Sequence, residues 1–209
     1  MMIPLSELIE TYGVIPKGIV HIGAHEGQEL ESYLQHSVPR VVWIEANPTI
    51  CETLRERLRP YPNHTAYQFA AHDTNGGYVD LNVMANTMSS SILYPKKHLE
   101  FYPHVPVTQT IRVPTRTMDS FFEEEGLNAH DFNFLNMDIQ GAELLALRGF
   151  EKFLGHFDYV YTELNDDYLF TDCALTSEMD DFLSRHGFTR VATRMTNDKW
   201  GDALYVRRH

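Results

Sequence analysis

Gly18-Ile-Val-His-Ile-Gly-Ala-His-Glu-Gly27 joins a short apolar run to a glycine-spaced turn. Val41-Val-Trp-Ile-Glu-Ala-Asn-Pro48 then runs apolar into an acid, Glu45, twenty-two residues after Gly23. The two stretches predict parallel strands over Gly18–Ile22 and Arg40–Ile44, separated by a helix that carries Leu30, Tyr33 and Leu34. In an open α/β sheet such a turn lets backbone approach a ligand, and an acid at the next strand end accepts from ribose hydroxyls. The spacing is Gly-x-x-x-Gly, not the Gly-x-Gly-x-x-Gly that seats a pyrophosphate on a helix N-terminus. The predicted ligand is therefore a nucleoside without a diphosphate, which favours S-adenosylmethionine (SAM) over NAD.

Working outward, Leu5, Leu8, Ile9 and Tyr12 have helical spacing ahead of Gly13, and Pro48 opens a helix with Cys51, Leu54 and Leu58 inward. Thr65–Ala71 reads as a third strand. The helical period then disappears from Asn75 to Arg116. Tyr78–Val83 alternates like a half-buried strand, Ile111 and Val113 mark another, and Tyr94–Pro106 reads as an irregular excursion. Thr117 or Asp119 can cap a helix bearing Phe121 and Phe122. Phe132–Met137 is a fourth core strand, followed by one helix over Glu143–Phe153, and Tyr159–Thr162 is a fifth strand. Thr176 or Ser177 caps a helix with Met179, Phe182 and Leu183, and Phe188–Met195 with Ala203–Arg207 forms a terminal antiparallel pair. The fold class is α/β: one domain over residues 1–209, with a doubly wound, mostly parallel sheet ending in a C-terminal antiparallel hairpin.

Seventeen Lys and Arg against twenty-nine Asp and Glu give a net charge of −12, which disfavours tight binding to phosphate backbones. The expected partner is a small or neutral molecule, with no nucleic acid. Cys51 and Cys173 lack metal-ligand spacing and read as reduced thiols. Glu7 and Glu10 interrupt the first residues, and no apolar run reaches spanning length, so a cytoplasmic protein without membrane insertion is expected.

Ligands of doubly wound sheets bind beyond the carboxyl ends of the strands. Those positions hold His21, Gly23, Ala24, His25 and Gly27 after the first strand, Glu45, Ala46 and Asn47 after the second, and Ala71, His72 and Asp73 after the third. Asp138, Ile139 and Gln140 follow the fourth, and Glu163, Asn165 and Asp166 the fifth. A carboxylate leaving a buried strand must be desolvated or paired, so Asp138 is a functional candidate on physical grounds. Glu143 has a structural alternative, biasing the next helix N-terminus.

His21-Ile-Gly-Ala-His-Glu-Gly27, Trp43-Ile-Glu-Ala-Asn-Pro48, Ser89-Ser-Ser91, Thr117-Met-Asp119 and Met137-Asp-Ile-Gln-Gly-Ala-Glu143, in that order, resemble the FkbM family of SAM-dependent methyltransferases. Leu147-Arg-Gly-Phe150 and Tyr161-Thr-Glu-Leu-Asn165 fit as well. The resemblance spans about Gly18 to Arg207, and its most specific piece follows the fourth strand. It implies a seven-stranded, Rossmann-like class I methyltransferase fold and O-methylation of a sugar, a glycan or a related hydroxyl-rich molecule, with glycosyltransferase modules of the same pathway as candidate partners. By motif, Gly23, Ala24 and Gly27 would line the methionine side of SAM, Glu45 would hold the ribose, Ala71 and His72 would border the adenine, and Asp138 would face the reacting centre. His21 stands where the family usually has Asp or Asn.

Two mechanisms remain open at this level. Asp138 acts as base, aided by a histidine such as His25, or Asp138, Glu163 and Asn165 hold Mg²⁺ or another divalent cation against adjacent sugar hydroxyls. The Tyr94–Pro106 excursion and the Asp166–Asp172 loop are the expected substrate walls. A nucleotide-cofactor oxidoreductase or epimerase is the alternative class, disfavoured by the missing diphosphate motif. A non-catalytic SAM-binding domain is the third, disfavoured by Asp138.

Overall fold

A computed structural model describes residues 1–208. The chain runs α1 (Leu5–Tyr12), β1 (Ile19–Ile22), α2 (Leu30–Gln35), β2 (Val41–Glu45), α3 (Pro48–Leu58), β3 (His64–Gln68) and β4 (Ala70–Ala71). It continues with β5 (Tyr78–Met84), α4 (Lys97–Phe101), β6 (Val107–Arg116), α5 (Met118–Glu124), β7 (Phe134–Met137), α6 (Glu143–Arg148) and α7 (Glu151–Leu154). The last elements are β8 (Tyr159–Asn165), α8 (Thr176–Arg185), β9 (Phe188–Met195) and β10 (Trp200–Arg207). A seven-stranded sheet has the order β3-β2-β1-β7-β8-β10-β9, and β10 alone runs against the direction of the other six. Its central strands are apolar on both faces because helices cover both. Val20, Ile22, Val42 and Ile44 pack under α5 to α8, while Ile19, Val41 and Trp43 pack under α1 to α3.

Local chemistry sets the helix starts. Pro48 opens α3 behind Asn47, whose side chain accepts from Thr49 N at 3.0 Å and Ile50 N at 3.4 Å. Thr117 caps α5 through Ser120 N, whereas Asp119 caps a different helix, accepting from Lys152 N at 3.1 Å and Phe153 N at 3.3 Å. That cap begins α7 and breaks the single helix expected over Glu143–Phe153 at Gly149. Neither Thr176 nor Ser177 caps α8: Glu178 accepts from Leu175 N instead, and the Thr176 hydroxyl donates to Asp166.

The third strand also differs from expectation. It splits after Gln68, where Phe69 turns into the core, and β4 leaves the large sheet for a three-stranded one of order β4-β6-β5. This small sheet packs against the α6–α7 break. The Gly149 carbonyl accepts from Asp119 N at 2.9 Å, and a Cβ at Gly149 would lie 2.1 Å from the His72 carbonyl oxygen. Among the described residues no helix is long and apolar enough to cross a membrane.

Gly149→Ala is expected to cost about 2 kcal/mol through this clash, an overpacking effect. That corresponds to a fall of about 4–8 °C in melting temperature by calorimetry. An unchanged melting temperature would mean that the small sheet moves aside freely.

Candidate active site

The tips of β1 and β7 are pressed together. Asp138 N donates to the Ile22 carbonyl at 3.0 Å, and Gly23 has φ +83° with its missing Cβ direction 1.8 Å from the Asp138 carbonyl oxygen. Only glycine fits there, through both conformation and close approach. The contact holds the Asp138 side chain at the junction of two cavities, whose walls it shares with Gly23, His25 and Met88.

The first cavity, about 590 Å³ including its mouth, has Glu45 on one wall, apolar groups on another, and Thr87, Ser90, Ser91 and Asp138 along the rest. Glu45 accepts from His25 N at 2.8 Å through one oxygen and from Asn47 N at 2.7 Å through the other, so its carboxylate is fixed by backbone. Ile50, Phe69, Ala71 and Leu81 supply the apolar surface. Burial raises the Glu45 pKa above the ordinary carboxylate value.

The second cavity, about 730 Å³, is polar and includes His21, Glu29, Asn136, Tyr161, Asp138 and Asp202 in its walls. His21 stacks on Trp43 with ring centroids 5.1 Å apart and meets the Tyr33 hydroxyl at 3.2 Å. Burial pushes its pKa down to about 4, so it is neutral at physiological pH. Tyr161 donates to Asp202 at 2.5 Å. Among the described residues neither cavity has a Lys or Arg in its walls.

Burial at the base of the cleft, then the Asp202 carboxylate, push Asp138 up to about 6. Its side chain remains accessible, as expected of a group that water reaches from one side of a concavity. Glu163 is buried and is held well above the usual carboxylate range by desolvation and by Asp138, Glu143 and Asp202. Glu143 is pushed up to about 7 by burial. Its role is that of a turn staple: Oε1 accepts from Ile139 N at 2.9 Å and Gly141 N at 3.2 Å.

Of the residues singled out from sequence, Gly23, His25, Glu45, Ala46, Ala71 and Asp138 line the first cavity, and His21 lines the second. Ala24, Gly27 and His72 line neither. Ala24 is buried, Gly27 packs on Leu54, and His72 is drawn into the small sheet by its N–H bond to Arg116 O at 3.0 Å. His25 reaches the cleft, but both ring nitrogens are engaged, Nε2 with Thr87 Oγ1 and Nδ1 with Gln28 Nε2, each at 2.8 Å. It is not free to take a proton in this arrangement.

The trio Asp138, Glu163 and Asn165 does not fit a divalent cation. The Gln140 side-chain amide lies between the two acids, and Asn165 turns its NH₂, not its oxygen, towards Glu163 at 3.3 Å. Among the described residues no group of three His, Cys, Asp or Glu side chains is arranged to hold a metal.

The expected substrate walls are also displaced. The 94–106 excursion and the 166–172 loop clasp each other, Lys96 N and His98 N donating to Leu169 O and Lys97 pairing with Asp167 at 2.5 Å. Neither segment lines the cavities; Thr87, Met88, Ser90, Ser91 and Ile92 form that wall instead. The Ser89-Ser-Ser91 motif was its only sequence signal. Glu29 and Asp202 were missed, since each lies inside a helix-flanking or strand segment with no motif around it; Tyr161 opens a quoted motif, but nothing there marked its hydroxyl as a site group.

The methyltransferase FkbM domain profile matches residues 21–190. The chain belongs to the FkbM methyltransferase family. It is 30% identical over 159 residues to the 2-O-methyltransferase NoeI of Sinorhizobium fredii, a match covering 73% of this chain and 65% of that protein. Fibrillarin from Aeropyrum pernix with bound S-adenosyl-L-methionine superposes with a TM-score of 0.51 at 12% identity, covering 98% of this chain and 73% of that one. A SAM-dependent methyltransferase from Aquifex aeolicus gives 0.50 at 11% identity, covering 96% and 87%. These likenesses establish the class I SAM-dependent methyltransferase fold.

Gly23→Ala is expected to weaken S-adenosylhomocysteine binding about 100-fold in calorimetry, because the added methyl must displace Asp138. His72→Ala is expected to leave that affinity within about twofold of wild type, about 0.4 kcal/mol. Comparable losses in both variants would place the nucleoside elsewhere.

Proposed function

We propose that this protein is a SAM-dependent O-methyltransferase acting on a hydroxyl of a sugar, a glycan or a similar polyhydroxylated small molecule. The observation that carries this reading is Asp138, which stands where an acid-walled, apolar cavity meets a polar one. The first suits a nucleoside: Glu45 is oriented by two backbone amides to accept from ribose hydroxyls, and Ala71, Phe69 and Ile50 offer apolar surface to a base. SAM supplies a methyl carbon made electrophilic by the adjoining sulfonium. Asp138 and Asp202 favour that positive charge, while Glu29 is paired with the Met1 ammonium at 3.1 Å, and Gly23 lets the sulfonium approach the β7 tip.

The second cavity suits the acceptor. Gln28 and the carboxylates offer the mixed donors and acceptors that a polyol requires, with Asn136 and Tyr161, already bonded to Tyr33 and Asp202, behind them. The absence of Lys and Arg from both walls, among the described residues, disfavours phosphate-rich acceptors such as nucleic acids. The 2-O-methyltransferase activity in the relative's name supports oxygen as the target. Glycosyltransferases that build such acceptors are the partners this activity calls for.

A sugar hydroxyl is a weak nucleophile near neutral pH, so losing its proton during attack lowers the barrier. Asp138 accepts that proton, and its raised pKa improves the match to the task. The base must be ionised, so turnover rises as pH increases through about 6 and then levels. Asp138→Asn is expected to lower kcat about 10²–10⁴-fold and to abolish that rise. The measurement is methyl transfer from isotopically labelled SAM to a glycan pool, followed by mass spectrometry across pH. A rise that persists in Asp138→Asn would assign the base elsewhere.

A further inference from the structure

The turn between β7 and α6 is held from several sides. Glu143 accepts from Ile139 N and Gly141 N, and the Ser91 hydroxyl donates to the Gln140 carbonyl at 2.8 Å. Within this brace Gln140 adopts φ +56°, a left-handed conformation that a side-chain-bearing residue seldom takes. The strained backbone delivers its side chain between two acids. Gln140 Nε2 donates to Asp138 Oδ1 at 2.7 Å and to Glu163 Oε2 at 2.6 Å, one hydrogen for each. Asn165 Nδ2 holds the other Glu163 oxygen, while Asn165 Oδ1, in a residue only 1% exposed, has no partner. Strain of this kind persists where the surroundings over-determine it, and here what it determines is the seat of one amide.

We infer that Gln140 is a positioning residue whose amide takes the place of a bridging cation: it ties Asp138 to Glu163, leaves Asp138 Oδ2 for the reacting hydroxyl, and closes the pair to divalent metals. The inference rests on Asp138 as the base. Two carboxyl groups this close repel when both are ionised, which a retained proton, a positive ion or hydrogen-bond donors between them relieves; here each acid meets a donor from one amide. An NH₂ group supplies two donors, one to each acid, without a metal's requirement for four or more further ligands. Converting that amide to a third carboxylate removes the donors and creates an all-oxygen set, which suits a hard cation.

The test uses purified full-length protein and needs no acceptor. In side-chain amide NMR of the wild type, both Gln140 NH₂ protons are expected to be shifted downfield, with Asp138→Asn moving one and Glu163→Gln the other. With Mn²⁺ as an electron paramagnetic resonance probe, Gln140→Glu is expected to bind the ion at least about tenfold more tightly than wild type, since a carboxylate replaces the donor. That gain should vanish when Asp138→Asn is added. Gln140→Leu, which keeps the volume but offers neither donor nor ligand, separates loss of the bridge from gain of a ligand: it should lose the downfield signals without gaining Mn²⁺. S-adenosylhomocysteine calorimetry on every variant reports an intact fold and cleft. Mn²⁺ binding by the wild type through Asp138, amide signals indifferent to both acid substitutions, or no gain in Gln140→Glu would each overturn the role given to Gln140. Failure of the wild type to bind S-adenosylhomocysteine would instead overturn the methyltransferase reading on which that role rests.

Discussion

The contact between the tips of β1 and β7 governs the geometry of everything at the carboxyl end of the sheet. Because Gly23 has no Cβ, its backbone lies against the Asp138 carbonyl, and the two strand-end turns form one continuous floor. On one side of that floor lies the cavity walled by Glu45, and on the other the cavity walled by Glu29 and Asp202. Asp138 stands on the ridge between them. A side chain at position 23 would force the turns apart and separate the acid from one cavity or the other.

Gathering Glu45, Asp138, Glu143 and Glu163 at one end of a sheet opposes folding, since Glu45, Glu143 and Glu163 lose hydration and several of the four repel one another. The chain offsets this with neutral donors in place of cations. Backbone amides of His25 and Asn47 hold Glu45, those of Ile139 and Gly141 hold Glu143, and the side-chain amides of Gln140 and Asn165 hold Glu163. Neutral donors orient a carboxylate without cancelling its field. The cavity walls hold no lysine or arginine among the described residues; the Met1 ammonium lines the second cavity and pairs with Glu29 at 3.1 Å.

The small sheet closes the nucleoside end. β4 peels away from β3 at Phe69 and pairs with β6, which places Ala70 and Ala71 on the cavity wall while His72 faces the α6–α7 break. Thr87 to Ile92 complete the rim between that sheet and the β7 turn, joined by Thr87 to His25 and by Ser91 to Gln140. The aromatic excursion that follows is committed to the 166–172 loop through Leu169 and Asp167, and to the β9–β10 turn through Tyr102, which donates to Asp198 and accepts from Trp200 Nε1 at 3.0 Å.

From sequence alone, the largely apolar runs at Ile19–Ile22, Val41–Ile44 and Phe134–Met137, ending in a glycine turn or an acid, determined a doubly wound sheet and put Gly23, Glu45 and Asp138 at its ligand-binding end. Burial on both faces and a single chain direction leave little other use for such runs. Tertiary structure alone decided what surrounds them. Whether Thr65–Ala71 stays in one sheet depends on where Phe69 finds its core, and whether Glu143–Phe153 is one helix depends on Asp119, far earlier in the chain. Asp202 and Tyr161 meet only because β10 returns antiparallel to β8. Gln140 became legible as a bridge only once Glu163 stood opposite it. Local periodicity records which face of an element is buried; it carries no record of which distant residue will occupy the space beyond that face.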